Sequence, residues 1–235
     1  MNQKIKSITK GSEIIDKIFN EIVLMLRQRK NPTELEVVQE IKKLAKKFGA
    51  DGMAWNSPSP ALVGFGSGAA DIHHKASTKK IGNNNFLMLD YGVKVKGFCS
   101  DFTRTIFIGT PTKLHEGIYN FVFYSHKAAT EKIFIGQSGD VIDFTARHII
   151  NQSGFGKTFA HTTGHGVGKK IHEAPSIGPS SKDILKKDDV ITIEPGIYLP
   201  KKFGVRIEDM ILVTDKPKVF SKIPKDFKSM IIKRI

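Results

Sequence analysis

Two pairs of carboxylates sit inside apolar, β-prone runs, each pair set about a hairpin turn, and this most narrows what the chain can fold into. Asp and Glu are depleted in strands and seldom buried without a partner, so each of these four needs a reason. Asp90 lies in FLMLDYG and Asp101 in FCSDFTRT, while Glu194 lies in VITIEPG and Glu208 in VRIEDMILV. A first hairpin turning about Val95-Lys96 sets Asp90 opposite Asp101, and a second turning about Lys201 sets Glu194 opposite Glu208. Directly opposed side chains have Cβ atoms about 4.5–5.5 Å apart. Carboxylates that close repel strongly unless a proton or a cation stands between them. Pairing of each acid with a base is the ordinary alternative, with Arg104 and Arg206 near at hand. Four acids in two matching hairpins favour one cluster instead, whose natural counterion is a pair of divalent metals clamping a water nucleophile.

Helical segments frame those hairpins. Ile14, Ile15, Ile18, Phe19, Ile22, Val23 and Leu26 recur at helical spacing and predict a helix over 12–29. Thr33-Glu34-Leu35-Glu36 reads as a capping box opening a second helix that runs to Phe48 and stops at Gly49. Ser, Pro and Gly then punctuate residues 55–68, and β-rich runs follow at 86–91, 95–100 and 103–108. Helical spacing returns at 113–134 and 141–151, and β-rich texture at 190–194 and 205–213. The order helices, hairpin, helices, hairpin predicts an α+β fold with two related halves. No low-complexity linker divides it, so residues 1–235 are expected to form a single domain.

Between the hairpins, HTTGHGVG carries His161 and His165, and HEAP follows with His172. Imidazole is both the commonest nitrogen ligand and the usual general acid or base near neutral pH. The interleaved glycines allow a loop to bring such rings close to a site. A phosphate-binding loop is a weaker reading, because the lysine-serine/threonine ending is missing.

Charge offers a competing lead. The chain has 37 Lys and Arg against 23 Asp and Glu, a formal net charge of +14, which invites nucleic acid as a partner. The excess lies at the ends, +5 over residues 1–50 and +6 over 201–235, and the middle 150 residues are nearly balanced at +3. Nucleic acid is therefore not expected as the primary partner. A single cysteine excludes a disulfide framework or a Cys-based zinc cage and suits a reducing compartment. The polar start, MNQKIKSITKGSEI, is no signal peptide, and no apolar run approaches the roughly 20 residues that span a bilayer. A cytoplasmic protein with no membrane partner is the expectation.

The segments LDYG, GFCSDFTRT, HTTGHGVG, HEAP, TIEPGIYLP and GVRIED occur in the order found in the M24 metallopeptidases. The chain resembles that family, the "pita-bread" fold of Xaa-Pro aminopeptidases, prolidases and methionine aminopeptidases, over about residues 5–220. The resemblance implies two pseudo-symmetric halves around a curved antiparallel sheet. It implies dinuclear metal ligands at Asp90, Asp101, His165, Glu194 and Glu208, with Asp101 and Glu208 bridging. His73, His161 and His172 match the accessory histidines that orient substrate and stabilise the tetrahedral intermediate, and Arg206 matches the arginine that supports the metal carboxylates. EPGIYLP followed by GVRIED is similar to the proline-specific branch. Methionine aminopeptidase is the alternative, and a non-catalytic module binding peptide or nucleic acid a further one.

Two departures stand out. Proline-specific members typically carry an extra N-terminal domain, whereas this chain starts almost directly at the catalytic one. The segment GSGAADIHH has Gly68 where Asn is common, and Asp71 and Ile72 replace apolar and Pro residues. Four carboxylates with one imidazole suit Mn²⁺, with Co, Fe or Zn as substitutes. The expected substrate is a peptide with a free N-terminus, with a homodimer left open. In the implied reaction Glu194 relays the proton of the attacking water, and His172 steadies the oxyanion. Cys99 is expected as a buried small hydrophobe, Trp55, Phe86, Phe98, Phe102 and Phe107 as core, and His74 as a solvated neighbour of His73.

Overall fold

The apolar spacing near the start builds a helix longer than the sequence pattern predicts. In the computed structural model, which describes residues 2–29, 31–55 and 59–234, helix α1 spans Gln3–Gln28. Residues 56–58 of the Ser- and Pro-rich segment lie outside the described residues. Ile5 and Ile8 extend the buried face of α1 by two turns. Gly11, within that added stretch, is a point of close packing: a Cβ there would lie 2.7 Å from Ser100 Oγ. Helix α2, Glu34–Lys47, opens on the expected capping box, with Thr33 Oγ1 accepting from Glu36 N at 3.2 Å and Glu36 Oε2 accepting from Thr33 N at 2.7 Å.

The first half then forms β1 (Gly52–Met53), β2 (Leu62–Phe65), β3 (Asn85–Asp90), β4 (Val93–Val95), β5 (Phe98–Cys99) and β6 (Thr103–Ile108). Helices α3 (Lys113–Glu131) and α4 (Gly139–Gln152) follow. The second half adds β7 (Gly164–Gly166), β8 (Glu173–Ile177), β9 (Val190–Ile193), β10 (Gly196–Leu199), β11 (Phe203–Arg206), β12 (Asp209–Leu212), β13 (Lys218–Val219) and β14 (Ile231–Ile232). The strands make an antiparallel-rich α+β fold with sheets ordered β14-β6-β3-β2, β1-β4-β5, β10-β11 and β13-β12-β9-β7-β8. No helix among the described residues is long and apolar enough to cross a membrane.

The largest core cluster packs α1 and α2 on the first half, and a second packs α3 and α4 on β9 and β12. A smaller one, with Ile8, Cys99, Val167, Val190 and Met210, fills the space between the halves. Cys99 is a buried small hydrophobe, as expected. Phe86, Phe102 and Phe107 are core, whereas Phe98 and Trp55 are only half-buried.

The first hairpin corrects the expected register. It turns about Lys96 and Gly97, whose φ values of 49° and 78° give the left-handed pair a tight two-residue turn requires. Val95 therefore faces Phe98, and Asp90 faces Thr103 rather than Asp101. Asp101 stands outside the ladder, between β5 and β6. The second hairpin turns about Lys201 (φ 64°) as the sequence implies. Gly196 faces Arg206 and Ile193 faces Asp209, so Glu194 and Glu208 stand level between those two ladders.

The halves meet along a narrow seam. Thr103 and Glu208 form an isolated antiparallel bridge, with Glu208 N donating to Thr103 O at 3.0 Å. Arg104, fully buried, donates to Glu208 O and to Asp209 Oδ1, both at 2.6 Å. Its ion pair is thus with Asp209, not with any of the four acids singled out from the sequence.

Candidate active site

Each of those four acids, and His165, sits at or beside a strand end along the seam. Asp90 closes β3, Asp101 follows β5, His165 is the middle of β7, Glu194 follows β9, and Glu208 lies between β11 and β12. All five line one cavity of about 630 Å³, together with His73, His161, His172 and Arg206. Close approach of backbones makes this possible. A Cβ on Gly164 would lie 2.0 Å from Thr192 O, so glycine there lets β7 press on β9 beside His165.

The donor atoms converge in three overlapping triads, within each of which all lie within 4.8 Å of one another: Asp90, Asp101 and Glu208; His165, Glu194 and Glu208; Asp101, His165 and His172. His165 Nε2 stands 3.3 Å from Glu194 Oε1 and 3.7 Å from Asp101 Oδ2. The third triad brings His172, expected only as an accessory group, within donor reach, its ring edge-on to His165 at 4.3 Å. Such a set of carboxylates with imidazole fits a hard divalent ion.

The electrostatics agree with that fit. Burial, with Glu208 and Asp90 close by, pushes the Asp101 carboxyl well above its ordinary value. Glu208 is pushed up to about 8 by burial and by Glu194 and Asp90. Asp90 is raised by burial, against the opposing pull of Arg206. Glu194 goes the other way, to about 2: burial opposes its charge, but the His165 hydrogen bond and the nearby His161 imidazole outweigh it. His165 is correspondingly raised despite burial, through Glu194 and Glu208. Desolvation lowers His161 and His172. Three crowded acids that resist joint ionisation call for a positive charge between them.

Around the cluster, Arg206 binds Asp90 Oδ2 through Nη2, Thr103 Oγ1 through Nε at 3.2 Å and Tyr198 OH through Nη1 at 2.9 Å. Thr103 Oγ1 in turn donates to Glu208 Oε2 at 2.6 Å. His161 donates from Nδ1 to Thr162 O at 2.8 Å, which leaves Nε2 to accept from Tyr198 OH at 2.7 Å. Sequence reasoning missed Tyr198 and Thr103. Strand alternation carries the signal for both: Tyr198 shares parity with Glu194, and Thr103 with Asp101. Trp55, read as core, helps line the cavity. His73 is exposed at its wall, and His74 is no solvated neighbour: its Nε2 donates to the buried Glu34 Oε2 at 2.9 Å.

Solved structures share this architecture. A prolidase from Thermococcus sibiricus is 37% identical with a TM-score of 0.90, matching 99% of this chain and 61% of its own. An Xaa-Pro dipeptidase from Bacillus anthracis is 36% identical with a TM-score of 0.91, over 99% of this chain and 63% of its own. An X-Pro aminopeptidase from Thermotoga maritima is 30% identical with a TM-score of 0.90, over 98% and 63%. An uncharacterized peptidase of Staphylococcus aureus (strain MW2) is 38% identical over 213 residues, 91% of this chain and 59% of the relative. The chain thus spans about three fifths of the length of these relatives.

This chain shares the pita-bread fold of these solved structures and carries an acid- and imidazole-lined cavity at its seam. Residues 6–215 match metallopeptidase family M24, and the chain belongs to that family.

Proposed function

We propose that this chain is an exopeptidase that uses two divalent ions, Mn²⁺ foremost, to release the first residue of a peptide at Xaa-Pro bonds. The overlap of the donor triads carries the reading: Asp101, His165 and Glu208 each belong to two of them, so neighbouring ions could share donors. Asp90, Asp101, His165, Glu194 and Glu208 would hold the ions. Ions held there supply charge to polarise the scissile carbonyl and a water nucleophile acidified towards neutral pH.

The chain's own groups do the rest. Glu194 takes the water's proton at a carboxylate oxygen and relays it to the leaving nitrogen. His172 donates to the developing oxyanion. His161, held in one orientation by Thr162 O and Tyr198 OH, and His73 on the cavity wall orient the peptide. Arg206 keeps Asp90 aimed at the centre. The acidic centre attracts the substrate's free ammonium, which selects an N-terminus. Proline specificity is supported by the prolidase, Xaa-Pro dipeptidase and X-Pro aminopeptidase among the solved relatives. A lone, buried cysteine is in keeping with work in a reducing cytoplasm.

The test is a metal analysis followed by a substrate panel. Protein purified without added metal should carry about two divalent ions per chain. Stripped protein should be inactive, with Mn²⁺ restoring hydrolysis of Ala-Pro and Arg-Pro-Pro. Release of Met from Met-Ala-Ser in their place would assign a methionine aminopeptidase, and full activity in Asp101→Asn would overturn the dinuclear centre.

A further inference from the structure

The loop that carries His73 has no regular secondary structure from Asp71 to Ala76 and contains no proline or glycine to set its shape. Something else must hold it. Glu34, at the first turn of α2, is completely buried, and its carboxylate gathers this loop and its surroundings. Oε1 accepts from Phe65 N at 2.9 Å, at the end of β2. Oε2 accepts from His74 Nε2 at 2.9 Å, from Ser77 N at 3.0 Å and from Ser77 Oγ at 2.9 Å. A buried carboxylate is tolerated only when its lone pairs are filled this fully, and the α2 N-terminus favours its charge.

Gly68 completes the arrangement. A Cβ there would lie 2.9 Å from both Cε1 and Nε2 of His74 and 3.2 Å from Glu34 Oε1. The φ of Gly68 is not in the left-handed region, so space for the imidazole, not backbone conformation, is what the glycine provides. His73 itself makes a turn, its N–H donating to Asp71 Oδ1 at 2.9 Å, and its ring has no hydrogen bond among the described residues. Its position on the cavity wall is inherited from its neighbour.

We propose that Glu34, His74 and Gly68 form a clasp that positions His73 for substrate, making His74 and Glu34 positioning residues. This rests on the peptidase reading for its effect on turnover, but not for its effect on the loop. The other donors, Phe65 N and Ser77, keep Glu34 satisfied when the imidazole is removed, so His74→Ala isolates the clasp from the fold.

The experiment compares the full-length Mn²⁺-loaded protein with His74→Ala, Gly68→Ala and the double variant. Amide hydrogen exchange across residues 69–78 should quicken in all three by a similar factor. KM for an Xaa-Pro dipeptide should rise about tenfold in each, with kcat and bound metal unchanged, and the double variant should be no worse than either single one. His74→Gln, which keeps an N–H donor, should recover most of the loss. Unchanged exchange in His74→Ala, or losses that add in the double variant, would overturn the clasp. A wild-type chain that cleaves no peptide would sink the functional reading alone, since the exchange data still decide on the clasp.

Discussion

Arg206 satisfies three groups at once, Asp90, Thr103 and Tyr198, from one buried guanidinium. Its planar fork does what a lysine ammonium cannot, because three donors must point in three fixed directions. Arg206→Lys should therefore keep the charge and still lower kcat/KM about 10–100-fold, read by steady-state kinetics at saturating Mn²⁺. Restored activity in the lysine variant would mean that charge alone matters at this position. The five proposed ligands were legible as residues because each is out of place: a carboxylate in an apolar strand, an imidazole among glycines. Tyr198 and Thr103 were not, because tyrosine and threonine are at home in strands and raise no question there. His74 was misread for a related reason, since its partner Glu34 lies 40 residues away and passes for an ordinary first-turn acid.

At the scale of elements, the Arg104–Asp209 pair is the fastening between β6 and β12. Removing Arg104 leaves Asp209 with Lys225 Nζ at 2.9 Å but orphans the buried acceptors Glu208 O and Ile223 O, so Arg104→Met should cost about 1–3 kcal/mol, measured as a lower urea midpoint. The pair also predicts a pH dependence. Burial opposes the Asp209 charge, but Arg104 and His126 hold its carboxyl well below the ordinary range. A depressed folded-state value stabilises the fold above the unfolded value of about 3.9 and loses that contribution as the pH falls through the acid range. Asp209→Asn should show a shallower loss of stability between about pH 4 and pH 2 than the parent, and an equally steep loss would contradict the pair's role. Hairpin and helix order could be read from hydrophobic period alone, and so could the second hairpin's register, where Lys201 sits at the centre of the turn. The first register differs by two residues because the turn is centred on Lys96-Gly97, where the glycine takes up the left-handed conformation, and not on Val95-Lys96. Helix α1 is longer than the apolar run over 14–26 predicts because Ile5 and Ile8 add a sparser buried face ahead of it.

Across the whole molecule, the proposed centre draws Asp90 and Asp101 from one half and His165, Glu194 and Glu208 from the other. Ions bound there would hold the halves together as well as serve the proposed reaction. Chelation should lower the melting temperature, and Mn²⁺ should restore it. At about 100 times Kd the gain is about 2.7 kcal/mol, or roughly 5–10 °C for a chain of this size. A melting curve indifferent to chelator would place the ions elsewhere or nowhere. The seam where Thr103 meets Glu208 also bears on how the protein is made. A ribosome has to add another 105 residues after Thr103 before the residue that bridges to it exists. Throughout that interval the proposed centre stays incomplete, gaining His165 and Glu194 on the way and lacking Glu208 until the end. Timing is thereby written into the topology: the proposed centre can close only when residue 208 arrives and the long-range contact forms, among the slowest kinds of contact to form.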